Sequence, residues 1–199
     1  MKVAIKRISS DPLGLLGLCL VTLMVVSALG ASIFAPYDPI QLNIMDRLQG
    51  PSANHLLGTD QLGRDLFSRV LFGGQVALKV AFLTIGLALI VGIVLGLIAG
   101  YGPAWLDNSI MLLFDTIRSV PTIMLALAAV AVVGPSITTV IFVIAVSSIP
   151  NYGRIVRTQT LTIKSKDFVN AERLMGASLL RILSIHLLPN ILGPLLILA

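Results

Sequence analysis

Three long stretches of the chain carry no charged side chain. They run from Pro12 to Tyr37, from Val80 to Leu106 and from Ser119 to Gly153. A helix needs about 20 predominantly apolar residues to cross the hydrocarbon core of a bilayer. The first two stretches therefore predict one membrane-spanning helix each, with Leu13–Phe34 and Val80–Ala99 as their apolar bodies.

The third stretch is too long for one straight span. Its 35 residues would form a helix of about 52 Å, against a hydrocarbon core of about 30 Å. Gly134-Pro135-Ser136 is a turn signal near its middle, so we predict a hairpin of two spanning helices. The first must begin before Ser119, which brings Asp115 and Arg118 to the membrane interface, and Pro121 should kink it. At i and i+3 these charges can pair on one helix face, either to anchor the helix end or to serve transport.

A further apolar run, LLPNILGPLLILA, follows His186 and ends at Ala199. Thirteen residues cannot complete a crossing, so we expect the start of a fifth span in a chain that is a fragment of a longer protein. The expected fold class is all-α: a polytopic membrane helical bundle with four complete spans plus the start of a fifth.

The composition supports a membrane protein. Hydrophobic residues make up 56% of the 199 residues and charged residues only 12%, about half the usual share of a soluble domain. The net charge of +5 is what cytoplasmic loops of a membrane protein produce, and the hydropathy argues against a nucleic-acid partner. The single cysteine, Cys19, excludes an intrachain disulfide.

Lysines and arginines orient the spans. Lys2, Lys6 and Arg7 precede the first span, and the segment 154–181 carries a basic excess, so both should be cytoplasmic. An even number of spans between them is consistent with this. The expected division is 1–75, comprising a cytoplasmic tail, the first span and an external segment, and 76–199, with a cytoplasmic loop at about 154–186. A cleaved signal peptide over residues 1–31 is the alternative for the first span.

Catalytic motifs are missing from the sequence. It has no GxxxxGK[ST] phosphate loop and no catalytic triad, paired carboxylates or metal-ligand pattern; His55 and His186 are isolated. No ionisable residue lies at the middle of a predicted span, where ion-coupled carriers generally need one. We therefore expect no enzyme activity and no cofactor. One span has small residues at every fourth position, which favours tight helix bundling or dimerisation: Ala88, Gly92, Gly96 and Gly100.

The stretch NAERLMGASLLRILSIHLLPN is the most polar part of the second half. Its apolar spacing predicts a helix that opens at Asp167 and is interrupted at Gly176, a residue able to adopt the left-handed cap conformation. Ser178 can cap a second helix that runs into Pro189 and carries Leu179, Ile182, Leu183 and Leu187 on one side. An amphipathic helix lying on lipid headgroups and a docking element for a partner both remain open.

This stretch resembles the cytoplasmic "EAA" loop of binding-protein-dependent ABC transporter permeases. The chain keeps Ala171, Gly176 and Pro189, but it has Asn170 where the family usually has Glu and Glu172 where it usually has Ala. The residues that the resemblance implies for contact with the ATPase are Phe168, Asn170, Ala171, Glu172, Met175, Gly176, Ala177 and Pro189.

A second motif resembles the dipeptide/oligopeptide permease subunits of the "C" type. APYDP at 35–39 precedes HLLGTDQLGRDLFSRVLFGGQVAL at 55–78, and DNSIMLLFDTIRSVPTIMLALA and NYGRIVR also match. The external motif residues are Gly58, Thr59, Asp60, Gly63, Arg64, Asp65, Ser68 and Arg69.

The resemblance implies a type I ABC importer transmembrane domain in a bacterial inner membrane, with a cytoplasmic N-terminus. The expected partners are two cytoplasmic ATP-binding subunits that hydrolyse ATP, a second homologous permease subunit, an external solute-binding protein and membrane lipid. A non-ABC secondary carrier or channel subunit, and a membrane scaffold, are the alternatives. The solute, whether dipeptide, oligopeptide, glutathione or nickel chelate, is left open.

Overall fold

A computed structural model of the chain describes residues 11–178 and 181–198. The expected cytoplasmic charges Lys2, Lys6 and Arg7 and the apolar Leu179 lie outside these residues. The described part is built from helices and includes one isolated β-bridge, between Thr59 and Asp65. It divides into two compact units, Met1–Val80 and Ala81–Ala199.

The first unit begins with helix α1, Pro12–Leu29, which Gly30 separates from the short helix α2, Ala31–Phe34. Asp11 caps α1, since its Oδ1 accepts a hydrogen bond from the Leu13 N–H at 3.1 Å. Most side chains of α1 are exposed although nearly all are apolar, as expected of a helix surrounded by lipid. The predicted first span is confirmed.

Helix α3, Leu66–Tyr101, is 36 residues long, or about 54 Å. It starts well before the predicted Val80, inside the segment expected to be external, and ends before the predicted Leu106. Because it is longer than the roughly 30 Å hydrocarbon core, about 20 Å of it must project from the apolar layer or be taken up by tilt. Residues 66–75, from the segment expected to be external, are part of this helix.

The predicted hairpin is present, but its first arm is broken into two helices at Val120 and Pro121 and not merely kinked. Helices α4, Ala104–Ser119, and α5, Thr122–Val133, meet at 83° across Val120 and Pro121. Proline cannot donate to the helical ladder and disfavours a helical residue before it, which separates the two helices. Helix α6, Ile137–Lys164, follows the Gly134 turn, and Ser136 caps it by accepting from the Thr139 N–H at 3.0 Å. Among the described residues three helices can span a membrane, or four if α4 and α5 form one broken span.

The last elements are helix α7, Asp167–Leu174, a π-helix at Ile182–Leu187 and helix α8, Leu188–Leu198. The chain stays helical through Pro189. The Leu188 N–H bonds the Leu183 carbonyl in the wider π pattern, just before the proline. A π turn accommodates Pro189 because the residue lacks an N–H and its ring would clash with the carbonyl four residues earlier.

The small-residue stripe of α3 lies against α6 of the same chain. A Cβ on Gly92 would come within 2.8 Å of the Tyr152 Cβ, and one on Gly96 within 2.5 Å of the Gly153 carbonyl oxygen. A Cβ on Gly100 would meet the Thr160 Cβ at 2.6 Å, and Ala88 is fully buried. The stripe therefore lets α3 and α6 approach more closely than any side chain would permit.

Polar side chains also join α4 to α6. Arg157 binds Asp107 with two hydrogen bonds, Nε to Oδ1 at 2.5 Å and a terminal nitrogen to Oδ2 at 2.6 Å. The predicted pair of Asp115 with Arg118 does not form: Asp115 accepts from Arg154, and Arg118 donates to the Asn151 side chain. Each finds a better-placed partner on α6 than on its own helix.

Candidate functional site

The external motif folds around the Asp65 carboxylate. Its Oδ2 accepts hydrogen bonds from both the Ser68 N–H and the Ser68 hydroxyl at 2.7 Å, which makes Asp65 the N-cap of α3. Its Oδ1 lies 3.0 Å from His55 Nδ1, and the His55 ring lies beside Tyr37, with 4.9 Å between ring centroids. The expectation that His55 is isolated is therefore wrong. Burial alone would raise the pKa of Asp65, but the Ser68 and His55 donors lower it overall.

Asp60 organises the preceding turn. Its Oδ1 accepts from the Leu62 and Arg64 N–H groups, and its Oδ2 accepts from Arg64 Nε at 2.8 Å. Arg69 approaches the same carboxylate at 3.5 Å. Burial alone would raise the pKa of Asp60, but these N–H donors and the Arg64 guanidinium lower it to about 2. The carboxylate is thus the ionised centre of the turn.

Both motif glycines are required by the backbone. Gly58 has φ +77° and Gly63 has φ +72°, and a Cβ on either would collide with a backbone carbonyl, of Gln49 and Asn43 respectively. Thr59 lies between these contacts: its hydroxyl accepts from the Gln49 N–H at 2.9 Å and donates to the Asp46 carbonyl. The structure therefore brings all eight predicted external residues into one turn and the start of α3, where described contacts hold the backbone in place.

A polar cavity of about 240 Å³ lies beside this turn. It is lined by acidic and amide side chains together with Tyr37 and His55: Asp38, Gln41, Asn43, Asp46, Gln49, Asn54 and Asp65, with the backbone of Gly63. No motif predicted it, because residues 37–49 are joined to this turn by contacts that are distant in sequence, such as the hydrogen bond from the Leu48 N–H to the Asp60 carbonyl at 3.1 Å and that from the Asn43 N–H to the Leu62 carbonyl at 3.2 Å. Within the described residues, no group of three His, Cys, Asp or Glu side chains is arranged to hold a metal ion.

The loop predicted to be cytoplasmic is built on α7. Val169 is fully buried and belongs to the same apolar core as Ile163 of α6 and Ile182 of the π-helix. The opposite side of the loop exposes large apolar groups: Phe168 is 43% exposed and Met175 is 75% exposed. Asn170 and Ala171 are exposed and Glu172 is half-buried. This eight-residue helix is therefore anchored on one face and presents apolar side chains on the exposed side.

Gly176 ends α7 in the conformation that its sequence predicts. It has φ +81°, and the Ala177 N–H reaches back to the Glu172 carbonyl at 3.0 Å, the bond that characterises a Schellman cap. After the turn, the Ser178 carbonyl accepts from the Ile182 N–H, consistent with a second helical start. Pro189 lies apart from the other predicted loop residues, at the beginning of α8.

The root of the loop is attached to a second helix by a contact that sequence reasoning missed. Lys164, the last residue of α6, donates to the Tyr101 carbonyl at 2.9 Å and lies 5.0 Å from the Tyr101 ring centroid. It thereby caps the C-terminus of α3, where a cation is favourable. The sequence shows only that a lysine lies in the last turn of α6, and this does not indicate that it contacts Tyr101 of α3.

Comparison with known proteins agrees with the family resemblance of the sequence. The family model "Binding-protein-dependent transport system inner membrane component" matches residues 92–199, and "N-terminal TM domain of oligopeptide transport permease C" matches residues 1–51. The dipeptide transport system permease protein DppC of Alkalihalophilus pseudofirmus is 38% identical over 194 residues, which are 98% of this chain and 64% of the relative.

Two further relatives show the same pattern. The di/tripeptide transport system permease protein DppC of Pseudomonas aeruginosa is 40% identical over 91% of this chain and 62% of its own length. The glutathione transport system permease protein GsiD of Pectobacterium atrosepticum is 39% identical over 85% of this chain and 57% of its own. The chain thus spans 57–64% of the length of these relatives. It belongs to the inner membrane components of binding-protein-dependent transport systems.

Proposed function

We propose that this chain contributes one half of the membrane pathway of an ATP-driven importer for peptides or a related small solute. The observation that carries the proposal is the exposed apolar side of α7, displayed at the end of a spanning helix and backed by Val169 in the core. Relatives named for dipeptide, di/tripeptide and glutathione transport support the solute class.

Coupling would work through rigid connections. A separate ATPase subunit would bind α7 and displace it, and α6 would move with it because Ser165 and Lys166 alone separate the two helices. Lys164 and Arg157 would transmit the movement to α3 and α4 through their contacts with Tyr101 and Asp107. A short docked helix can in this way convert closure of an ATPase into rearrangement of a helix bundle.

The remaining partners and the orientation belong to the same proposal. Two ATP-binding subunits, a second permease subunit and an external solute-binding protein would complete the importer, with the N-terminus of this chain in the cytoplasm and the segment around Asp60 and Asp65 outside. The chemistry of transport would then need no catalytic group in this chain, since ATP is hydrolysed by the partner.

The test is co-purification of the ATPase with the complete permease complex carrying Met175→Glu. A charge on a largely exposed apolar contact should weaken binding by about tenfold, roughly 1.4 kcal/mol. Thr162→Glu is the matched control, because Thr162 is exposed near the same end of α6 but outside the segment 167–175 that forms α7 and the residue after it. If no ATPase co-purifies with the unmodified complex, a secondary carrier, channel subunit or membrane scaffold replaces the proposal. Equal binding by both variants would remove α7, together with Met175 directly after it, as the docking element.

A further inference from the structure

Four polar side chains form a cluster between α4 and α6: Asp115 and Arg118 of α4 with Asn151 and Arg154 of α6. Arg154 donates to Asp115 Oδ1 at 2.5 Å, and Arg118 donates to Asn151 Oδ1 at 2.5 Å. We call these four residues the polar step. The step is open on one side: the Asp115 side chain is 67% exposed and that of Arg154 is 38% exposed, and Arg118 and Asn151 are also exposed.

The polar step lies within the depth of the bilayer. Helix α6 begins at Ile137, directly after the hairpin turn. At 1.5 Å per residue, Asn151 is about 21 Å and Arg154 about 25 Å from that outer end, whereas the hydrocarbon core is about 30 Å thick. Arg157 and Lys164, farther along α6, reach the cytoplasmic boundary. The step thus occupies the cytoplasmic part of the apolar layer.

The interrupted backbone between α4 and α5 lies at the same level. Arg118 contacts Asn151 only two residues before Val120 and Pro121, and the residues of the break are exposed. Non-helical backbone at membrane depth is tolerated only where protein covers it or where it lines water, since lipid cannot satisfy its polar groups. The same holds for exposed charged side chains. Two independent features therefore exclude lipid from this side of the bundle.

Water fits this side better than a covering helix. Ion pairs that are taken fully out of water lose more solvation than their attraction returns unless additional hydrogen bonds compensate. Asp115 and Arg154 already satisfy each other while keeping much of their surface open, so a water-filled space leaves them solvated. A water-filled space between spanning helices is also what a transport pathway requires.

We propose that the polar step lines the water-filled cytoplasmic half of the translocation path and contacts the charged groups of a passing zwitterionic or charged solute. Arg118 and Arg154 would contact carboxylates, and Asp115 would contact ammonium or guanidinium groups. Because each side chain already has a partner of its own, a solute group exchanges with that partner instead of binding tightly, which favours passage. This inference rests on the proposed function, since it assigns a solute-contacting site within it.

The first test is water access at Asn151. Cys19→Ser removes the single cysteine of these 199 residues, and cysteines elsewhere in the complex are replaced as well. Asn151→Cys in the complete complex, in membrane vesicles, is treated with a membrane-impermeant cationic thiosulfonate. Phe142→Cys is the control, because Phe142 is exposed on the opposite side of α6. We expect labelling at Asn151→Cys to be faster by about tenfold or more, because lipid suppresses the thiolate that reacts. Equal, slow labelling of both would overturn the proposal, and so would labelling that appears only when the second permease subunit is left out.

The second test is charge selectivity. Arg118→Gln should lower uptake of a glutamate-containing dipeptide relative to a lysine-containing one by about fivefold, or about 1 kcal/mol at 1.4 kcal/mol per tenfold. Asp115→Asn should shift the ratio the other way. Asp107→Asn, in the neighbouring tie between α4 and α6, is the matched control and should lower both rates equally. Equal losses in all three variants would assign the polar step a purely structural role. If the unmodified complex takes up neither dipeptide, the proposed function fails for peptides, while the labelling result still decides whether the step faces water.

Discussion

Gly96→Ala should destabilise the bundle although alanine is the better helix former. A Cβ at this position would lie 2.5 Å from the Gly153 carbonyl oxygen, 2.6 Å from the Val156 Cβ and 2.8 Å from its Cγ1. Ordinary contacts of this kind are at least 3.4 Å. Two of the three neighbours cannot rotate away, because one is a backbone atom and the other is a Cβ. Helices α3 and α6 would therefore have to separate by close to 1 Å.

The expected cost follows from overpacking. Forcing extra methyl groups into a packed helix interface costs about 1–3 kcal/mol. Alanine in place of a helical glycine otherwise stabilises by roughly 0.5–1 kcal/mol. Gly86 supplies the matched control, since it lies on the same helix and a Cβ there meets nothing within 4 Å. The two substitutions are chemically identical and should have effects of opposite sign.

The assay is thermal unfolding of the purified complex in detergent. Each 1 kcal/mol corresponds to roughly 2–4 °C in a protein of this size, by analogy with soluble domains. We expect a lower Tm for Gly96→Ala and an unchanged or higher Tm for Gly86→Ala. Equal Tm values for the two variants would refute the close approach of α3 and α6, and with it the role of the small-residue stripe.

Three further predictions concern polar groups. Asp107→Asn should lower the Tm by the equivalent of about 1–3 kcal/mol, because Arg157 loses a charged partner that accepts two hydrogen bonds. The double variant Asp107→Asn with Arg157→Gln should recover part of this loss. An additive loss in the double variant would contradict the pairing. Asp60 has a folded-state pKa of about 2, below its ordinary 3.8, so its contribution to stability is full above about pH 4 and is lost as the pH falls through 2. Unfolding from pH 5 to pH 2 should therefore show a smaller drop in Tm for Asp60→Asn than for the unmodified chain, and identical pH profiles would contradict the shift. Asp65→Ala should cost about 0.5–2 kcal/mol for the lost cap of α3, whereas Asp38→Ala, in the exposed loop, should be nearly neutral in the same unfolding measurement.

The external motif shows how far sequence reasoning reaches at a site. Its residues were identified together from a linear pattern, and the structure brings them together in one turn. The sequence did not explain why Gly58 and Gly63 must be glycine, because the carbonyls of Gln49 and Asn43 that exclude a side chain there belong to an earlier segment of the chain. His55 was missed for the same reason, since its partner Asp65 is ten residues away.

The apolar pattern of the sequence determined the helical, membrane-spanning character of the chain, since a bilayer admits only segments that satisfy their own backbone groups and present apolar side chains. Local chemistry also determined the Gly134 turn and the Gly176 cap, because each depends on the φ angle that one residue can adopt. Tertiary structure decided the partners. Asp115 and Arg118 can pair with each other along one helix, but α6 offers Arg154 and Asn151 at shorter reach. The small-residue stripe could have faced lipid, a second copy or this chain, and only packing assigns it to α6. The hydropathy of a helix determines whether it can lie in lipid. Ion pairs and close contacts between helices depend instead on which side chains a second helix places at the same depth.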